Sequence, residues 1–151
     1  MKEQFELQLP DLLYFVKESC HENLHHTLTE LREMADQVSP KFINENLRDY
    51  LKNFIREIQV HLALEENTLF PSIANGKMKN KAASIHHLVD DHDQMKISLL
   101  EIRRMTSNYS LPLGLDVRGL SFFKKLREMD RIILNHIQIE DNILFPMVLS
   151  G

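Results

Sequence analysis

Apolar residues recur at spacings of three and four along most of the chain. The series Leu47, Leu51, Phe54, Ile58, His61, Glu65 steps 4, 3, 4, 3, 4, which is one continuous face of an α-helix. A second such seam runs through Phe122, Leu126, Met129, Ile133, His136, Glu140 and Ile143, and a third through Ile85, Leu88, His92, Met95, Leu99 and Ile102. A less regular one begins at His21 and continues through Leu24, Leu28, Leu31 and Ala35. The alternation of β-branched and polar residues that marks strands does not occur.

Punctuation divides these seams into four predicted helices. Pro10-Asp11 opens the first, which runs to about Ser39, and Ser39-Pro40 reads as the N-cap and first-turn proline of the second. Asn75-Gly76 closes that helix, a third is predicted from about Lys77 to Ser107, and Ser110 to Gly114 forms the loop before a fourth from about Asp116. Helices of roughly 30 residues are ~45 Å long, and four of them suit an all-α, antiparallel up-down-up-down bundle. A single domain over residues 1–151 is expected.

The chain repeats itself. HLALEENTLFP from His61 to Pro71 returns as HIQIEDNILFP from His136 to Pro146, and HENLHHTLTELREM from His21 aligns with HDQMKISLLEIRRM from His92. The repeating unit is therefore a helix pair, and the bundle is expected to form by packing one pair against the other.

The seams also carry His21, His61, Glu65, His92, His136 and Glu140 into the interior. An ionised carboxylate buried without compensation costs several kcal/mol, and a cation is the simplest compensation. Two carboxylates and four imidazoles exceed what one divalent ion uses. Two ions sharing the carboxylates as bridges and taking two histidines each account for all six, with room for an oxo or hydroxo bridge and an open position. Mixed imidazole and carboxylate ligands without thiolate suit two non-haem irons, then manganese or zinc. The i, i+4 spacing of His and Glu differs from the Glu-x-x-His pairs of ferritin-like sites.

Composition narrows the partners. Eighteen basic against twenty-two acidic side chains give a net charge of −4, which repels nucleic acid and anionic membrane surfaces. One cysteine, no basic-then-apolar leader pattern and no apolar run of spanning length lead to the expectation of a soluble, cytoplasmic protein.

Several residues compete with the six or flank them. His25 lies one turn after His21 and is an alternative to it, although His21 alone aligns with His92. Asp141 is an alternative to Glu140, which continues the seam and matches Glu65. His26, His86 and His87 turn away from the seams, Glu66 and Asp141 read as solvated helix faces, and Cys20 reads as a buried structural thiol. Phe70-Pro71 and Phe145-Pro146 are expected to plug the bundle end and to disturb the helix just beyond the ligands.

On HxxxE followed by Leu-Phe-Pro, at His61 to Pro71 and again at His136 to Pro146, the chain resembles the hemerythrin-like (HHE) family. Within it the chain is most similar to the di-iron domain of the Repair of Iron Centres proteins. Carried over, the resemblance implies ligation by His21, His61, Glu65, His92, His136 and Glu140, with Glu65 and Glu140 bridging. It implies a part in iron-sulfur cluster repair or in the response to nitrosative and oxidative stress, with O2 or NO as small ligands and iron-sulfur proteins as clients. A reversible O2 or NO carrier or sensor and a di-iron oxidase or NO- or peroxide-consuming enzyme are the alternatives, and a metal-free helical interaction module is the reading without chemistry. Oxygen-carrying hemerythrins have a further histidine where Leu88 stands. Many repair proteins carry an N-terminal paired-cysteine domain, whereas the bundle pattern starts here at once and Cys20 is the one cysteine.

Overall fold

The computed structural model describes residues 8–150, all of whose regular structure is helical. Four helical rods form an antiparallel bundle, as the seams predict. The first rod is α-helical over Leu9–Phe15 and Glu22–Gln37, with a π-helical segment, Val16–His21, between them. The second is α-helical over Glu45–Leu64, π-helical over Glu65–Leu69 and α-helical again over Phe70–Ala74. The third, Lys81–Met105, is α-helical throughout. The fourth repeats the second, with Val117–Ile139, a π-helical Glu140–Leu144 and a final Phe145–Ser150.

The first rod packs against the second and fourth, and the third packs against the same two, so each HxxxE helix lies between two neighbours. Among the described residues no helix is long and apolar enough to cross a membrane.

Capping chemistry sets the rod starts. Asp116 caps the fourth rod as expected, its side chain accepting from the Gly119 N–H at 2.8 Å. The second rod departs from expectation. Ser39-Pro40 forms a turn in which the amides of Phe42 and Ile43 donate to the Ser39 carbonyl, and the N-cap is Asn44, accepting from the Leu47 N–H at 2.8 Å. Asparagine matches serine as a cap and here directly precedes the regular seam.

The buried apolar residues fall into two layers. The larger joins Leu24, Leu28, Leu51, Phe54, Leu99, Phe122, Leu126 and their neighbours. The smaller holds Leu12, Leu13 and Val16 with Leu69, Phe70, Leu88, Leu144 and Phe145. The inward-facing histidines and glutamates belong to neither and fall, along each rod, near the point where one layer gives way to the other.

Candidate metal centre

All six expected residues are buried. His21, Glu65, His92 and Glu140 are fully so, and His61, the most accessible, is 4% exposed. Ligand-capable atoms of His61, Glu65, His92, His136 and Glu140 lie within 4.8 Å of one another. His21 joins at slightly longer range, its Nε2 3.7 Å from Glu65 Oε2 and 4.0 Å from Glu140 Oε1.

The two HxxxE units bring each Glu onto its own His. His136 Nε2 lies 2.6 Å from Glu140 Oε1, and His61 Nε2 is likewise in contact with Glu65 Oε1. Neither contact is a hydrogen bond. All four carboxylate oxygens and both nitrogens of His21 and of His136 therefore lack a hydrogen-bond partner in the fold. Eight orphaned atoms in one buried cluster contrast with the general rule that buried polar groups are paired.

The outer nitrogens explain which atoms face inward. His92 Nδ1 is 2.7 Å from Asp141 Oδ1, His61 Nδ1 is 3.3 Å from Asp91 Oδ2, and His21 Nδ1 is 3.8 Å from Glu66 Oε1. A carboxylate at Nδ1 draws the ring proton there and turns the Nε2 lone pair inward. The Nε2 atoms of His61 and His92 then meet at 3.2 Å. Two lone pairs at that distance repel unless a cation or a proton sits with them.

Without metal, protons serve. Burial opposes the imidazolium of His92, but Asp141, Glu140 and Glu65 outweigh it and raise its pKa to about 11. His136 is likewise raised to about 9, burial being overcome chiefly by the charge of Glu140. Burial also opposes ionisation of Glu65, yet Glu140 and the imidazoles of His136, His61 and His92 hold its carboxyl well below the usual range. The cluster is thus a set of anions and bases waiting for positive charge, which fits a divalent metal.

Three structural details lay beyond the seams. First, π-helical turns begin at Glu65 and Glu140, closed by Phe70 N–H to Glu65 O and by Phe145 N–H to Glu140 O. Each precedes a proline that has no N–H and whose ring would crowd the carbonyl four residues back in an α-helix, so the widened turn accommodates it. The disturbance starts at the glutamate itself and not beyond it. As a result Ile143, expected on the seam, is 41% exposed while Leu144 and Phe145 turn inward.

Second, the two phenylalanines wall the cluster. Phe145 stacks on His92 with ring centroids 5.8 Å apart, and Phe70 lies 5.3 Å from His21. Third, Asp141 and Asp91 contact the outer nitrogens of His92 and His61, and Glu66 approaches that of His21. A repeated acid directly after each Glu was the available signal, and it reads as solvated surface because its partners are distant in sequence.

His25 is drawn away from the cluster. Its Nε2 lies 2.9 Å from Glu66 Oε2 and its side chain is 39% exposed, so His21 is the inward residue. His26, His86 and His87 are exposed, as expected. Cys20 is half-buried, its pKa raised by burial and by Glu140.

The hemerythrin HHE cation binding domain family model matches residues 16–148. The chain belongs to this family. Iron-sulfur cluster repair protein YtfE from Pectobacterium carotovorum is 26% identical over 97% of the chain and 68% of the relative, as is its counterpart from Pectobacterium atrosepticum. The protein of that name from Yersinia pseudotuberculosis is 26% identical over 95% of the chain and 67% of the relative. The matched region contains the buried His/Glu cluster, which fits a metal site.

Proposed function

We propose that this HHE domain binds two non-haem irons through His21, His61, Glu65, His92, His136 and Glu140, with Glu65 and Glu140 bridging, and serves the repair of iron-sulfur clusters under nitrosative or oxidative stress. The observation that carries the metal reading is the pair of fully buried glutamates with all four oxygens unpaired among four imidazoles. Two divalent ions supply the missing charge, and bound iron would supply redox chemistry and an open position for O2 or NO. The chain's own contribution is to fix that position. Asp141 and Asp91 hold imidazoles by Nδ1, while Phe70 and Phe145 shut out water from one side.

The repair role rests on the family and on iron-sulfur cluster repair relatives with which the chain shares 26% identity. Iron-sulfur proteins are the expected clients. Elemental analysis of chain purified without affinity metal and reconstituted anaerobically with ferrous iron tests the centre, with two irons per chain expected. Incubation of the loaded chain with an NO-damaged cluster enzyme tests repair. Recovery no greater than with free iron would reject it and leave reversible gas binding or turnover. A buried leucine, Leu88, one turn before His92 weighs against oxygen carriage of the hemerythrin kind.

A further inference from the structure

The two halves of the centre are related by a pseudo-two-fold that extends to its outer contacts. His92 and His61 lie with ring centroids 5.0 Å apart at 58°, and their counterparts His21 and His136 lie 4.6 Å apart at 60°. Phe70 on His21 mirrors Phe145 on His92. The residue after each bridging glutamate, Glu66 or Asp141, approaches the Nδ1 of its own half's first histidine. The residue before His92, Asp91, approaches the Nδ1 of His61. The symmetry demands a fourth backing residue, the one before His21, for His136. That residue is Cys20.

The substitution breaks the pattern. The segment Val16–His21 packs against the fourth rod, where His136 lies, and the charge of Glu140 reaches the Cys20 thiol. Yet His136 Nδ1, in a residue only 2% exposed, has no hydrogen-bond partner. Asp141 and Asp91 bond the outer nitrogens of His92 and His61 at 2.7 and 3.3 Å, Glu66 stands 3.8 Å from that of His21 without bonding it, and His136 has no carboxylate there at all.

We propose that Asp91 and Asp141 are positioning residues of the metal centre, and that Cys20 at the fourth equivalent place leaves His136 loosely held and the two metal positions unequal. This rests on the metal reading of the cluster. A carboxylate behind a ligand imidazole fixes its tautomer and strengthens it as a base, so its loss costs roughly 10- to 100-fold in metal affinity. The deprived imidazole rotates more freely and binds more weakly.

The test is release of Co(II) from anaerobically loaded protein into excess chelator, followed by the visible bands of the bound ion. Wild type is expected to release its two ions in two separate phases. D141N, which keeps the size of the side chain, should weaken binding by roughly tenfold or more while the thermal unfolding of the metal-free chain barely moves. D91N should bring the slow phase toward the fast one, because His61 then stands as His136 does. C20D supplies the absent carboxylate and should slow the fast phase, with C20S as the control that leaves it unchanged. Wild-type affinity in D141N and D91N would overturn the positioning role. A single release phase in wild type, or a fast phase that C20D does not slow, would overturn the inequality. D91N decides that second point too if C20D does not fold. A wild-type chain that takes up no cobalt, iron or zinc would instead refute the metal centre itself.

Discussion

The first half of the chain and the second build the same corner of one site, but with different firmness. In the second half Asp141 faces His92 alone at 2.7 Å. In the first half its counterpart Glu66 is shared. His25 holds it at 2.9 Å, and His21 is left 3.8 Å away. Lys96 stands where the repeat would place a second His25, and it pairs with Asp93. The rods differ as well, since the one bearing His21 widens into a π-helical turn and the one bearing His92 does not. Duplication supplies equivalent inward-facing histidines and glutamates, and a few outer residues decide how equivalent they remain.

The largest effect should come from removing what the halves share. E65A with E140A is expected to abolish metal uptake in both halves and also to lower the stability of the metal-free bundle, because the buried imidazoles of His92 and His136 lose the carboxylates that hold their protons. Elemental analysis and thermal unfolding check the two parts. A double variant that still carried two irons would end the symmetric reading.

A second contrast lies at the far end. Asp130 is buried in the second half, gripped by Arg103 at 2.6 and 2.7 Å and by the Tyr109 hydroxyl, whereas the repeat places Ile55 in the first half at that point. D130A should cost ~2 kcal/mol, less than a fully buried pair because the Arg103 guanidinium is partly in water. Chemical unfolding measures it, and metal content should stay unchanged.

Titration sharpens the comparison further. His136 and His92 of the metal-free chain have pKa values raised to about 9 and about 11, above the ordinary value of 6.5. Their protonation therefore stabilises the fold fully below about pH 6.5, and that contribution is lost as pH rises through 9 and then 11. The metal-free chain should lose melting temperature across that alkaline window. The loaded chain should not, because metal replaces the protons, and its metal should instead leave on acidification. Melting curves of both forms from pH 6 to pH 11 check the sign.

The smallest effect belongs to H25A. Freed from His25, Glu66 can turn to His21 as Asp141 does to His92, so metal affinity should rise slightly, by about 0.5 kcal/mol or less. Chelator competition measures it, and a fall in affinity would show that His25 supports the centre instead of competing with it.

Much of this was legible in the sequence. The seams through His61, His92 and His136 give bundle, interior and cluster together, because a three-and-four spacing fixes the direction of every side chain on a regular helix. The spacing fails where the helix stops being regular. Ile143 reads as buried on an α-helical count and is exposed because a π-helical turn carries about one more residue per turn. The backing carboxylates were missed for another reason. Asp141 and Glu66 sit at the edges of the buried faces, and only the crossing of a neighbouring rod turns an edge into a contact. Asn44 prevailed over Ser39-Pro40 as a cap through the same kind of competition, settled where the chain has to enter the bundle.

The widened turns at Glu65 and Glu140 also separate two registers. Each offsets the helix that follows it, so the layer of Leu69, Phe70, Leu144 and Phe145 keeps its own rotational phase relative to the layer above the cluster. Mutations that repack one layer need not be matched in the other. The buried cluster thus sits at a mechanical joint, whose floor can be repacked apart from Phe70 and Phe145, the two residues that tie it to His21 and His92.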